Sequence, residues 1–155
     1  MIFLDGESLT MEAVETVATG EPVTLAGAAV ARMQSSRAVV ESIAGGEAPV
    51  YGVNTGLGLL ADTRIAPGEL AQMQRNVILS HCCGIGDPLP PADVRAMMLI
   101  RANVLARGLS GIRPVVAERL CDLLNRGVTP VVPSRGSVGA SGDLAPLAHV
   151  AAVLI

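Results

Sequence analysis

The 155-residue chain reads as a mainly α-helical domain with one short extended segment and glycine-rich loops. Two observations carry that reading. Half of the residues are hydrophobic, yet Phe3 and Tyr51 are the only aromatics, so a core must be built from Ala, Val, Leu, Ile and Met. Such side chains suit close-packed helices better than a sheet sandwich, which favours aromatic and β-branched residues. Helix punctuation also recurs along the chain: caps or prolines open apolar stretches and glycines close them.

The elements follow in order. Thr10 is placed to cap a helix that stops at Gly20. A second helix covers Ala28 to Ala44 and ends at Gly45-Gly46. Pro49 to Val53 reads as a short extended piece, and Asn54-Thr55-Gly56-Leu57-Gly58 as a loop by composition. Pro67 opens a third helix to about Ser80, because its missing N–H would be unpaired in a first turn. Pro90-Pro91 and Asp93 open a fourth, ending at Gly108, and Pro114 opens a fifth, ending at Gly127. Val128 to Gly142 is a loop, and Asp143 begins a last helix with Pro146 in its first turn. That helix shows no stop signal: Ala152-Val153-Leu154-Ile155 reads as mid-helix, from which a longer parent chain is expected.

Charge and composition exclude several function classes. The net charge is −3, and all eleven basic residues are arginines scattered from Arg32 to Arg135. No basic face is predicted, so no nucleic acid partner is expected. The start, Met1 to Glu7, is acidic and unlike a secretory leader. The longest apolar run, Leu147 to Ile155, falls short of the ~20 residues that span a bilayer. Cys82, Cys83 and Cys121 form no CxxC pair, so reduced thiols, a cytoplasmic location and no membrane or metal partner are expected. The mean hydropathy of +0.52 exceeds that of a free-standing domain and suggests burial by further sequence or partner subunits.

The segment Gly136-Ser137-Val138-Gly139-Ala140-Ser141-Gly142-Asp143 carries the sharpest chemistry. Its bland reading is a loop ahead of a helix. A nucleophile elbow fails because Asp143 stands where the last Gly belongs, and a Walker loop fails because the chain has no Lys. Ring closure fits better. The Gly142 nitrogen can attack the Ala140 carbonyl carbon and close a five-membered ring. Loss of that water, and of a second from the Ser141 side chain, leaves an exocyclic methylene on an imidazolone. Ala140 leaves its carbonyl accessible, Ser141 supplies the departing hydroxyl, and Gly142 permits a tight turn. A helix starting beside it favours negative charge developing there.

Elsewhere, Gly56-Leu57-Gly58-Leu59-Leu60-Ala61 fits a dinucleotide fingerprint, but no βαβ unit surrounds it and no acidic residue follows ~20 positions on. A tyrosine beside glycine, as at Tyr51, is most often a packing residue. A histidine such as His81 is most often a satisfied core residue, and adjacent Cys82 and Cys83 cannot wrap one tetrahedral ion with it. His149, within the last helix, reads as structural.

Together these motifs resemble the aromatic amino acid ammonia-lyases. GSVGASGDLAPLAH, from Gly136 to His149, is similar to that family's signature, and Tyr51-Gly52-Val53-Asn54-Thr55-Gly56 to its tyrosine loop. NVILSHCCGIG, holding Ser80-His81, resembles its substrate-selectivity helix, and Arg101-Ala102-Asn103 and Ser110 to Pro114 resemble further segments. The likeness runs from about Asp5 to the end, in order.

The resemblance implies the amino-terminal part of the ammonia-lyase (fumarase/aspartase-like) fold over residues 1–155, with a carboxy-terminal bundle beyond it. It implies a methylidene-imidazolone cofactor (MIO) made from Ala140, Ser141 and Gly142, with Asp143 assisting its formation. Tyr51 and Ser141 are the implied catalytic residues. Ser80, His81, Asn54 and Gly58 are the implied substrate-binding residues. Ser-His resembles the family's histidine-type pair, so elimination of ammonia from L-histidine to trans-urocanate is expected, in a homotetramer. A tyrosine or phenylalanine ammonia-lyase, an aminomutase, and an inactive helical fragment or association module are the alternatives.

Overall fold

The computed structural model describes residues 1–139 and 142–155. Helix α4 (Pro91–Ala106) is the hub, and it packs against α1 (Met11–Ala18), α2 (Gly27–Ala44) and α5 (Pro114–Asn125). Its inner face buries Val94, Met98, Leu99, Ala102, Leu105 and Ala106. Full burial of each large aliphatic side chain contributes about 2 kcal/mol. Leu4, Val17, Val23, Met33, Leu120, Leu124, Val132 and Val150 complete the same core. As the composition predicts, no aromatic enters it: Phe3 and Tyr51 are both mostly exposed.

Helix starts follow the predicted punctuation. The Thr10 hydroxyl accepts the Ala13 N–H at 3.2 Å, and prolines occupy the first turns of α4 and α5. Pro67 opens a tight 3-10 turn, Pro67–Glu69, that runs into α3 (Leu70–His81). The last helix, α6 (Ala145–Ala152), starts two residues beyond Asp143, whose carboxylate accepts the Ala145 N–H.

Two corrections arise. The expected extended piece at Pro49 to Val53 is instead a turn, in which the N–H groups of Val53 and Asn54 both donate to the Val50 carbonyl. The cause is Asn54, whose side chain draws this stretch back on itself. Four three- to four-residue strands were also not foreseen. β1 (Ile2–Leu4) pairs in parallel with β2 (Val23–Leu25), with Ile2 opposite Val23. β3 (Ile85–Pro88) pairs antiparallel with β4 (Pro133–Arg135), with Ile85 opposite Arg135. The Asn125 amide extends β2 sideways, accepting the Val23 N–H and donating to the Val23 carbonyl, each at 2.8 Å.

Arg95 is the one buried charged side chain among the described residues, at 8% exposure. It pairs with no carboxylate. Its guanidinium donates to the carbonyls of Val17 (2.8 Å), Ala18 (3.0 Å) and Leu124 (3.0 Å). These are final-turn carbonyls of α1 and α5, at the negative end of the helix dipole; Val17 and Leu124 also accept the N–H groups of Gly20 and Gly127, and Arg95 supplies a further donor to each. Among the described residues, no helix is long and apolar enough to cross a membrane, and no cluster of three or more His, Cys, Asp or Glu could hold a metal ion. All three cysteines are free thiols.

Candidate active site

Three segments carry the site residues. The first is the Tyr51 turn. Asn54, at 1% exposure, accepts the Val50 N–H through Oδ1 at 2.7 Å and donates through Nδ2 to the carbonyls of Ala48 (2.9 Å) and Ile43 (3.2 Å). Thr55, fully buried, accepts the Gly52 N–H at 3.3 Å and donates to the Gly56 carbonyl at 3.0 Å. A bridge between Thr55 and Arg64, with Gly56 N–H donating to Thr63 and Ile65 N–H to Asn54, closes the base of the loop. Tyr51 stands on this anchored turn with its side chain 63% exposed. Gly58 begins an exposed 3-10 turn, Gly58–Leu60.

Asn54 is thus the anchor of the turn, its amide spent on backbone, and would have to release carbonyls to reach a ligand. Replacing it with Ala removes three hydrogen bonds at a buried position and takes this partner from the Val50 N–H and the Ala48 carbonyl, while the Ile43 carbonyl keeps the Gly46 N–H. Asn54→Ala is expected to lower stability by about 2–3 kcal/mol, read as a shift of the denaturant midpoint.

The second segment is the end of α3. The His81 Nδ1 lies 2.7 Å from the Val77 carbonyl, so the neutral ring carries its proton on Nδ1 and leaves a lone pair on Nε2. The Ser80 hydroxyl donates to the same carbonyl at 3.0 Å and lies 3.3 Å from His81 Nδ1. His81 is half-buried and Ser80 exposed.

The third segment runs from β4 to α6. Ala140 and Ser141 lie outside the described residues, but the loop's closure is visible on both sides of them. The Gly142 N–H donates to the Gly139 carbonyl at 3.2 Å, which turns the chain tightly back, and Gly142 has φ +99°, a conformation that suits glycine. Asp143 Oδ1 accepts the N–H (2.8 Å) and hydroxyl (3.2 Å) of Ser137, and the N–H of Ala145. The Ser137 N–H, then the Ala145 N–H and the Ser137 hydroxyl, hold the Asp143 carboxyl below its ordinary value. These bonds therefore hold the loop fully above the usual carboxylate range and are lost as pH falls through the lowered value. A Cβ at Gly136 would meet the Asp143 carboxylate at 2.1–2.5 Å, so a side chain there would displace the carboxylate from its hydrogen bonds. Sequence reasoning did not find this contact; nothing in the spacing of Gly136 and Asp143 marks it.

The fold brings the second and third segments together. Helix α3 packs on α6, β3 follows α3 and pairs with β4, and the Gly84 N–H donates to His149 Nε2 at 3.2 Å. The hydrogen bonds of the Tyr51 turn run to residues 43–65 instead. An open trough of about 600 Å³ lies along the outer face of α4, where Met97, Ile100, Arg101 and Val104 face Pro146, Leu147 and Asp143.

This arrangement has known counterparts. The model of the aromatic amino acid lyase family matches residues 9–155, and the chain belongs to that family. It is 54% identical, over 99% of its length, to a histidine ammonia-lyase of Myxococcus xanthus, and 58% identical, again over 99%, to one of Anaeromyxobacter dehalogenans. It covers 30% of the length of each of these curated relatives. Among solved structures, it superposes on 29% of a tyrosine aminomutase from Streptomyces globisporus with a TM-score of 0.91, at 40% identity over 99% of this chain. A histidine ammonia-lyase from Trypanosoma cruzi gives 0.86, at 39% identity over 97% of this chain and 28% of that one. The helical architecture is accordingly that of the aromatic lyases and aminomutases.

Proposed function

We propose that the chain belongs to an enzyme that eliminates ammonia from L-histidine to give trans-urocanate, using an MIO group formed from Ala140, Ser141 and Gly142. The observation that supports it most is the loop around these residues. Its flanks pair through Gly139 and Gly142 and are held by Asp143, an arrangement that supports ring closure between them. The small residues at 136, 139 and 142 and the absence of any bulky side chain at 140 fit the group.

A group formed from Ala140, Ser141 and Gly142 would supply an electrophilic carbon, which would make the substrate amine a better leaving group. The chain's own residues do the rest. Tyr51 is the base that removes the β-proton, approaching from its anchored turn, which Asn54 and Gly58 shape beside the substrate. His81 Nε2, with its free lone pair, accepts the N–H of the substrate imidazole, and Ser80 supports it. The balance is closed: the β-proton passes to Tyr51, the electrons form the Cα–Cβ double bond, and ammonia leaves. Asp143 holds the loop for cyclisation and takes no part in turnover. The reading carries a homotetramer with it; exposed Leu59, Leu60, Ile85, Leu109, Val131 and Val138 support burial of this surface by further protein.

The relatives' names support histidine as the substrate, and so does the Ser80-His81 pair. The tyrosine aminomutase likeness favours a second reading, action on tyrosine, which the same experiment separates. His81→Leu is expected to lower kcat/KM for L-histidine by about 10–100-fold, the loss of a hydrogen bond to a buried polar group, without a comparable loss of the ring. Unchanged histidine turnover would contradict the assignment of His81. Turnover of tyrosine and not histidine by the unaltered chain would favour the second reading.

A further inference from the structure

We propose that His149 is a positioning residue, whose Nε2 holds the Gly84 N–H and so sets the separation between the His81 end of α3 and the helix that follows the Ala140–Gly142 triplet. The proposal rests on the reading that these two segments face one substrate. The bond spans 65 residues of sequence, from the α3 exit to the last turn of α6. It ties a point three residues beyond His81 to a helix whose entry carries Asp143.

The approach is close as well as polar. A Cβ at Gly84 would lie 3.0 Å from His149 Nε2 and 3.2 Å from the Pro133 ring, so the backbone is pressed between α6 and the start of β4. At Cys82 the helical bonding of α3 ends, and regular pairing resumes only at Ile85 in β3. The intervening Cys82-Cys83-Gly84 link would be free to pivot. The His149 bond fixes it. A half-buried backbone N–H needs an acceptor, and the neutral imidazole supplies one from a side chain long enough to cross the gap. Acceptance through Nε2 puts the ring proton on Nδ1. Leucine at this position would fill space without accepting; glutamine can accept through its carbonyl oxygen.

The test combines amide hydrogen exchange at Gly84 with steady-state kinetics on L-histidine, in the full chain and in His149→Leu, His149→Gln and Gly84→Ala. The Gly84 amide should be protected in the unaltered chain and in His149→Gln, and exchange freely in His149→Leu. KM for L-histidine should rise about tenfold in His149→Leu, with kcat changing less, because a small misplacement of a binding group is costly; His149→Gln should stay near the unaltered value. Gly84→Ala forces the same gap from the other side and should raise KM likewise, which keeps the test decisive where His149→Leu does not fold. Unaltered KM in His149→Leu and Gly84→Ala, or equal losses in His149→Leu and His149→Gln, would overturn the proposal. Absence of histidine turnover by the unaltered chain would defeat the functional reading instead. Exchange at Gly84 then decides the bond by itself, and free exchange in the unaltered chain overturns it.

Discussion

On the proposed function, Tyr51→Phe is expected to lower kcat for ammonia release from L-histidine by about 10²–10⁴-fold, the range a positioned general base contributes, and to leave folding intact. The substitution removes a single oxygen from a side chain that is 63% exposed. The turn beneath it is held by Asn54 and Thr55, neither of which touches the phenol oxygen through any of its hydrogen bonds. The denaturant midpoint should therefore stay where it is, KM should change little, and the loss should fall on kcat. Asn54→Ala separates the two roles. It weakens the turn and lowers stability, so its loss of activity should be accompanied by a shifted midpoint. A Tyr51→Phe variant with unchanged kcat would remove Tyr51 from the chemistry.

Arg95→Met is expected to destabilise the fold by about 2–3 kcal/mol, as loss of hydrogen bonds from a buried charged donor does. Methionine keeps much of the volume, so the loss isolates the polar contacts. Three carbonyls at the ends of α1 and α5 would lose a charged donor; Val17 and Leu124 keep the N–H groups of Gly20 and Gly127, so the cost is that of the charge-assisted bonds and of the Ala18 carbonyl. Arg95→Lys should recover less than half of the loss, since one ammonium cannot span three carbonyls as the planar guanidinium does. Urea unfolding of the three proteins measures it; a midpoint in Arg95→Met equal to that of the unaltered chain would show that these contacts do not hold α1 and α5 to α4.

The helices were legible because their signals are local. Pro91 and Pro114 lack the N–H that a first turn leaves unpaired, and Thr10 caps from its own position. An aliphatic core followed from having only two aromatics to place. The strands were not legible: three residues such as Ile2–Leu4 are too few to display a period of two, and their pairing is settled by partners some twenty residues away or more. Pro49 to Val53 looked extended because a proline and β-branched residues favour that form. The buried Asn54 amide, reaching back as far as Ile43, overrides it.

The site divides in the same way. The Ala140-Ser141-Gly142 triplet stands out in the sequence because each residue type has a chemical reason to be there, whereas Tyr51 stands out only through the resemblance of its loop to the family's. Asn54 stands beside the substrate by resemblance, and only the fold shows that its amide is bonded within the turn. Arg95 looked like one of eleven scattered arginines, since its three partners come from helices distant in the chain. His149 looked structural, and its bond to Gly84 could not be read without the fold.

The central claim, that Ala140, Ser141 and Gly142 close into the electrophilic ring, is tested most directly by the intact mass of the purified protein, followed by peptide mapping. A deficit of two waters confined to the peptide holding residues 140–142 is the predicted result. The full unmodified mass, in a chain that nevertheless releases ammonia from L-histidine, would contradict it.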